Sequence, residues 1–253
     1  MIQWNIQVVS FNTIELALDF NLPITQELLN EYEKVIKMKR IYISPSNQSG
    51  NKYAVGNTNE KEQCHKIAKA CSDFLKAQGF DVLCTYEDDM YKRVRESNDF
   101  NADLHIAIHT NATVKHNVTG GTQVLLYSLD GERLKVGTEI FKKLSVLTPG
   151  NTAEKIIAKP SFYECKATTG ICVYCECEFH DTPEGAKFII DNTKAMGEAI
   201  ARGVLSYYGL KEVTETAKLY TVQVGSFRDK TNAILQRNHL KKLGFTDCFI
   251  REV

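Results

Sequence analysis

The feature that most constrains the fold is an alternation of strand-like and helix-like segments between about residues 39 and 210. Short apolar segments rich in β-branched residues alternate with longer ones in which apolar residues recur every three or four positions. This pattern is typical of an α/β fold in three layers, a mostly parallel or mixed sheet with helices on both faces. The expected strands are 41–44, 80–86, 104–109, 122–127 and 172–178, and the expected helices are 60–78, 91–99, 132–144 and 183–208.

The regions outside this alternation are shorter and differ in character. Residues 1–38 form an N-terminal extension, strand-like at first and then helical over 23–36. Residues 211–218 are a polar linker, and residues 219–253 read as a compact strand–helix–strand unit. A β-α-β unit of that size is too small to bury a stable core alone. The sequence therefore predicts one larger domain over 39–210 and a small C-terminal unit.

Charge balance and hydropathy argue against two kinds of partner, nucleic acid and membranes. The 31 basic and 31 acidic side chains cancel, so there is no electrostatic case for nucleic acid as a partner. Neither a secretory leader nor an apolar run of membrane-spanning length is visible, so we expect synthesis in the cytoplasm without a signal peptide, and no membrane partner. Three of the eight cysteines fall in the strand expected over 172–178, and we interpret such cysteines as free, buried thiols.

Polar side chains interrupt or follow apolar strands at three places. The apolar run 104–108 leads into His109 and then Asn111, Glu60 begins the first helix, and Glu176 lies within a Val-Tyr-Cys-Glu-Cys strand. Open α/β sheets bind ligands outside the carboxyl ends of their strands, and a carboxylate inside an apolar strand is costly to bury without a purpose. A zinc hydrolase needs about three protein ligands and a nearby carboxylate that moves a proton. Glu60, His109 and Glu176 could supply part of such a set.

With these residues, the chain resembles the zinc-dependent N-acetylmuramoyl-L-alanine amidases of the type 3 family. The matched motifs are Asn57-Thr58-Asn59-Glu60, Ile108-His109-Thr110-Asn111-Ala112 and Val173-Tyr174-Cys175-Glu176, together with the first strand and its loop. The resemblance implies a peptidoglycan hydrolase that cleaves the amide between N-acetylmuramic acid and L-alanine. Glu60 and His109 would be Zn²⁺ ligands, Glu176 the catalytic general base and acid, and Asn111 and Gln123 substrate contacts.

One family feature is missing, which leaves the third metal ligand open. Family members commonly carry a histidine in the loop after the first strand, whereas residues 44–51 contain none. His180, on the same strand face as Glu176, and Asn47, within the loop, are the two candidates. Asparagine and glutamine oxygens are poorer zinc ligands than imidazole. A second hypothesis is therefore a non-catalytic peptidoglycan-binding protein with a degraded metal site.

The C-terminal unit resembles half of a SPOR domain. Its segment 220–227, with the following helix, matches one of the two repeats that together form a four-stranded, peptidoglycan-binding sheet. Residues 6–11 echo the strand 222–227 only weakly, so a homodimer is one way to supply the missing half, and denuded glycan strands are the implied ligand. The resemblances together imply an enzyme of cell-wall lysis or remodelling, such as a phage-type endolysin, that reaches the wall after release.

Overall fold

The computed structural model describes residues 4–8, 39–113, 120–150, 152–210, 212, 222–242 and 248–252. The chain divides into two compact units, one of residues 38–213 and the other of residues 1–37 together with 214–253. The helix expected over 23–36 and nearly all of the linker 211–218 lie outside the described residues.

The elements alternate much as the sequence predicts. In chain order they are β1 (Trp4–Val8), β2 (Arg40–Pro45), α1 (Glu60–Ala77), β3 (Asp81–Cys84), α2 (Met90–Asp99), β4 (Leu104–Asn111), β5 (Gln123–Leu126), α3 (Gly131–Leu144), β6 (Lys155–Ala158), α4 (Tyr163–Ala167), β7 (Ile171–Phe179), α5 (Pro183–Tyr207), β8 (Val222–Phe227), α6 (Lys230–Lys242) and β9 (Cys248–Glu252). Strand β6 and helix α4 are additions to the predicted set. Both are too short to show a clear periodicity.

The 38–213 unit is built on a mixed sheet of six strands in the order β3-β2-β4-β7-β5-β6. Strands β3, β2, β4 and β7 run parallel, β5 is antiparallel to β7, and β6 is parallel to β5. The predicted α/β class is therefore confirmed. Because β2, β4 and β7 are parallel neighbours, their carboxyl ends meet at one edge of the sheet.

The two faces of this sheet are buried differently. One face packs its apolar side chains against α1, α3 and α5, and this is the main core, in which Ile106, Ile140 and Ile200 are fully buried. The opposite face carries a small cluster around Tyr174, to which α4 contributes Cys165. Side chains alternate between faces along a strand, so the residues of β4 and β7 that face this thin layer include polar ones.

The other unit brings the two ends of the chain together. Its three-stranded sheet has the order β8-β1-β9, and β1 pairs antiparallel with both neighbours. The strand–helix–strand segment thus appears as predicted, but the strand between β8 and β9 comes from the N-terminal extension, which the sequence interpretation treated as separate. Within this unit the central strand is supplied by the same chain, so a second chain is not needed for it.

Two composition-based expectations can be compared with the described residues. The seven cysteines described are all free thiols, six of them buried, which confirms their interpretation as small core residues. Among the helices described, none combines the length and apolarity that crossing a membrane requires.

Candidate active site

The turn between β2 and α1 carries Glu60 to the carboxyl edge of the sheet. Gly56 and Asn57 both have positive φ, 84° and 46°, which reverses the chain before the helix. Asn59 then caps α1, its side chain accepting a hydrogen bond of 3.0 Å from the backbone N–H of Glu62. Glu60 is therefore the first helical residue, beside the end of β4 rather than in solvent.

Glu60 and His109 form a buried pair at this edge. Glu60 Oε1 lies 2.8 Å from His109 Nδ1, and the Nδ2 of Asn51 donates to Glu60 Oε2 at 2.6 Å. Burial raises the pKa of Glu60, but the hydrogen bond and charge of His109 outweigh it, and the net pKa is lowered. Burial lowers the pKa of His109, but Glu60 and Glu176 outweigh it and the net pKa is raised. Each partner thus favours the charged form of the other.

Glu176 lies beside this pair, on the neighbouring strand β7. It is the register partner of His109 in the parallel pairing of β4 with β7. The residue is partly exposed, yet its Oε2 is enclosed and has no hydrogen-bond partner among the described residues. Burial, with a contribution from the charge of Glu60 and against that of His109, raises the pKa of Glu176 to about 7. A carboxyl group with this pKa can accept and return a proton near neutral pH.

Aromatic rings pack against one face of the His109 imidazole. The His109 ring stacks on Tyr174 with 4.3 Å between centroids and 19° between planes, and Phe162 meets Tyr174 edge-on at 5.2 Å. Such contacts restrict the ring rotations of a buried side chain. The plane of the His109 imidazole, and so the direction of Nδ1, is set by packing as well as by Glu60.

Gln48, a residue that the sequence interpretation did not select, reaches the pair from the loop after β2. Its Nε2 lies 3.3 Å from His109 Nδ1, and its Oε1 accepts a hydrogen bond of 2.9 Å from Asn51. Asn51 therefore links Gln48 to Glu60. The available signal was the polar character of this loop, but several of its residues are polar and nothing in the sequence distinguishes this one.

The two candidates for the third ligand point elsewhere. The Nδ2 of Asn47 donates to the backbone carbonyl of Asp88. His180 lies just after β7, with its Nδ1 3.0 Å from the Oγ1 of Thr110 and its ring stacked 5.0 Å from that of Tyr53. Burial lowers the pKa of His180. Among the described residues, neither side chain has a hydrogen bond to Glu60 or His109.

The two residues selected as substrate contacts are brought together beside Glu176. The Nδ2 of Asn111, at the end of β4, donates to the Oε1 of Gln123 at 3.2 Å, and Gln123 donates in turn to the carbonyl of Ala153. Gln123 is also the register partner of Glu176 between β5 and β7. Both amides therefore flank the carboxylate at the same edge.

A second acid–histidine pair lies deeper on the same strand. His105 Nε2 is 3.2 Å from Glu164 Oε1, which also accepts a hydrogen bond of 2.5 Å from the hydroxyl of Ser44. The His105 ring stacks on Tyr42 at 5.1 Å. Burial raises the pKa of Glu164, but the hydrogen bond and charge of His105 overcome it and bring it to about 2. All four side chains are buried, in keeping with the structural role expected for His105.

The donor set at the edge fits a metal ion with two strong protein ligands. Glu60 supplies a carboxylate and His109 an imidazole, both common zinc ligands, and their facing atoms lie 2.8 Å apart. Among the described residues there is no cluster of three or more His, Cys, Asp or Glu side chains that could hold a metal. Within the described part of the chain, a third protein donor near this pair would therefore be of another type.

Comparisons with known proteins agree on one family. A family model described as N-acetylmuramoyl-L-alanine amidase matches residues 41–206. The sporulation-specific N-acetylmuramoyl-L-alanine amidase of Bacillus subtilis (strain 168) is 24% identical over 217 residues, which cover 82% of this chain and 83% of that protein. This coverage exceeds the length of residues 38–213, so the alignment extends into the other unit.

Solved structures of similar fold carry related descriptions. The N-acetylmuramoyl-L-alanine amidase from Clostridium difficile 630 has a TM-score of 0.58 and 24% identity, covering 68% of this chain and 98% of that one. The catalytic domain of the amidase CwlV from Bacillus (Paenibacillus) polymyxa var. colistinus has a TM-score of 0.60 and 18% identity, and the match covers 69% of this chain and 100% of that one. These likenesses concern the fold.

The family match spans nearly the whole six-stranded unit and includes Glu60, His109 and Glu176. It confirms the prediction of an N-acetylmuramoyl-L-alanine amidase, although the zinc ion and the SPOR-like unit lie outside what the match addresses. The chain belongs to the N-acetylmuramoyl-L-alanine amidase family, and residues 41–206 form its family domain.

Proposed function

We propose that this chain hydrolyses the amide bond between N-acetylmuramic acid and L-alanine in peptidoglycan, with Glu176 as the general base and acid and with Zn²⁺ held by Glu60 and His109. The observation that carries the proposal is the environment of Glu176. Its Oε2 is enclosed and unpartnered among the described residues, and its pKa is raised to about 7, beside a charged Glu60–His109 pair. Buried groups that lack partners and have strongly shifted pKa values concentrate at catalytic sites.

The proton steps follow from this environment. Glu176 in its ionised form takes a proton from the attacking water, and the same carboxyl then gives a proton to the leaving amine of L-alanine. Asn111 and Gln123 present amide groups next to it that can bind the peptide part of the substrate. A bound zinc ion would polarise the scissile carbonyl and lower the pKa of water in the site.

Two structural features favour an enzyme over the alternative of a non-catalytic binding protein. The first is that three residues far apart in the chain, Glu60, His109 and Glu176, converge at one sheet edge. The second is energetic, because an enclosed carboxylate without a partner costs stability and a binding protein would gain from replacing it. We therefore place the binding-only hypothesis second.

The test is cleavage of purified peptidoglycan by the full chain, followed as the release of new L-alanine amino termini. We expect release by the wild type, its loss on chelation, its recovery when zinc is returned, and release at least about 10²-fold slower by the Glu176→Gln variant. Release of reducing sugar ends instead, or binding without cleavage in every metal condition tested, would contradict the proposal. The chelator arm tests the zinc requirement separately from the reaction itself.

We also propose that the unit formed by the two chain ends attaches the enzyme to the cell wall, with denuded glycan strands as ligand. The pairing of β1 between β8 and β9 supports this, since it gives the strand–helix–strand segment a third strand within one chain. A further support is that the match to the sporulation-specific amidase extends beyond residues 38–213. The proposed setting is wall lysis or remodelling by a protein that is made in the cytoplasm and acts on the wall after release, for which a structural relative described as an endolysin offers one model.

Sedimentation with peptidoglycan sacculi tests this attachment. The Glu176→Gln chain, which digests the sacculi far more slowly, is compared with the same variant lacking residues 1–8. We expect the intact chain to sediment and the shortened one to remain mostly soluble, because β8 and β9 lose the strand between them. Equal sedimentation of both would show that this unit is not the attachment site. Gel filtration of the intact chain then reports whether a homodimer contributes.

A further inference from the structure

In the orientation that the structure gives the Gln48 amide, a proton on His109 Nδ1 cannot satisfy both of its polar neighbours. Nδ1 lies 2.8 Å from the Oε1 of Glu60 and 3.3 Å from the Nε2 of Gln48. An ionised carboxylate only accepts hydrogen bonds and an amide nitrogen only donates them. If Nδ1 carries a proton, it can donate to Glu60 but faces the N–H donor of Gln48. If Nδ1 carries a lone pair, it can accept from Gln48 but faces the carboxylate of Glu60.

A cation at this position removes the mismatch. The lone pair of Nδ1 and the carboxylate of Glu60 would both face the cation, and a half-turn of the Gln48 amide presents its oxygen in place of its nitrogen. That half-turn gives up the 2.9 Å bond from Asn51 to Gln48, while Asn51 keeps its shorter 2.6 Å bond to Glu60. The loop is therefore held near the pair even when Gln48 changes its partner.

Within the loop, the side chain of Gln48 is placed differently from that of its neighbour Asn47. Asn47 occupies the place in the loop where the family resemblance leads one to look for a ligand, but its side chain donates to the carbonyl of Asp88. His180, the other candidate, is engaged by Thr110 and Tyr53. Among the side chains of the loop, Gln48 is the one with a described contact to His109.

We propose that the side-chain amide oxygen of Gln48 is the third protein donor to a divalent metal ion held by Glu60 and His109. The inference rests on the proposed function only in taking this pair as the metal site. An amide oxygen is a harder and weaker donor than imidazole, so the site binds Zn²⁺ less tightly than one with two histidines and tolerates Mn²⁺ better. This replaces the missing loop histidine by a residue one position further along.

The experiment is calorimetric titration of the metal-free full chain with Zn²⁺ alone. The variants are Gln48→Ala, Gln48→His and the matched control Asn47→Ala from the adjacent position. We expect Gln48→Ala to bind Zn²⁺ at least about tenfold more weakly, Gln48→His to bind at least about tenfold more tightly, and Asn47→Ala to change affinity less than about twofold. Urea unfolding of each metal-free variant checks that the fold is retained.

The outcomes separate this inference from the proposed function. Wild-type affinity in Gln48→Ala, or a loss in Asn47→Ala as large as that in Gln48→Ala, would overturn it, even if the enzyme cleaves peptidoglycan normally. The gain in Gln48→His guards against a loss caused only by poor folding, and its absence counts against the inference. The expected affinity changes in a chain that cleaves no peptidoglycan would uphold the metal donor and refute the amidase proposal.

Discussion

Strand β4 carries two acid–histidine pairs that differ in surroundings rather than in chemistry. His105 with Glu164 lies within the sheet, where Ser44 donates to the acid and Tyr42 covers the ring. His109 with Glu60 lies at the carboxyl end of the same strand, next to an unpartnered carboxylate oxygen and to amides of an exposed loop. Position along the strand therefore decides whether such a pair is available to a ligand.

The acids near these pairs also show two consequences of burial. Glu164 is surrounded by donors, and its pKa falls to about 2. Glu176 lacks such donors, and burial raises its pKa to about 7. A buried carboxylate is stabilised when its lone pairs are satisfied and destabilised when they are not. The interior acid thus supports the fold, whereas the edge acid costs stability and can exchange protons.

The most direct way to break the comparison is to change each histidine to glutamine, which keeps an N–H donor for the acid. We expect His109→Gln to reduce peptidoglycan hydrolysis by about 10³-fold or more, because it removes an imidazole ligand. His105→Gln should leave hydrolysis within a few-fold and lower the free energy of unfolding by about 1–3 kcal/mol, because an amide makes a weaker hydrogen bond to Glu164 than the imidazole and does not stack on Tyr42 in the same way. Turnover and urea unfolding measure both. A folded His105→Gln protein as inactive as His109→Gln would refute the division of roles.

Glu176→Gln should lower turnover by about 10²–10³-fold while making the protein more stable at alkaline pH. The folded pKa of about 7 lies above the ordinary value of 4.5, so the ionised group destabilises the fold increasingly as pH rises from about 4.5 through 7. The variant should lose this slope. Urea unfolding from pH 4.5 to 8 is the measurement, and an unchanged slope would show that the carboxylate is not enclosed as described.

The interior pair predicts a separate loss of stability in acid. The folded pKa of Glu164, about 2, lies below the ordinary 4.5, so its contribution is present above pH 4.5 and is lost as pH falls toward 2. The shift corresponds to a contribution on the order of 3 kcal/mol, which Glu164→Gln would remove. Urea unfolding between pH 2 and 5 should give a flatter profile for the variant. Equal acid slopes for both proteins would contradict the assignment.

The smallest effect is expected at the side chain of Thr110, which lies between His109 and Asn111 and takes no part in either acid–histidine pair, although its backbone N–H donates to Glu60 Oε1 at 3.5 Å. Its hydroxyl is 3.0 Å from both the Tyr53 hydroxyl and His180 Nδ1. Thr110→Val should cost about 1–2 kcal/mol of unfolding free energy, because both buried partners lose their contact. Thr110→Ser, which keeps the hydroxyl, is the matched control. A fall in the turnover of Thr110→Val that is greater than the fall in its folded fraction would place this residue in the catalytic site.

Much of the site could be predicted from local sequence. His109 follows an apolar strand, Glu60 follows a capping asparagine, and Glu176 interrupts a buried strand, so each signal lies within a few residues. Parallel strands then bring such residues to one edge whatever their separation in the chain. The contacts of Asn47, Gln48 and His180 could not be predicted in this way, since the direction of a loop side chain depends on residues far away in sequence.

The sequence by itself determined the α/β class, the positions of most helices and strands, and the three polar residues that meet at the sheet edge. These follow from periodicity, caps and turns, which act over a few residues. Only the tertiary structure decided that Gln48 rather than Asn47 faces His109, and that β1 lies between β8 and β9. Both depend on hydrogen bonds between segments distant in sequence, for which a single sequence carries no local pattern.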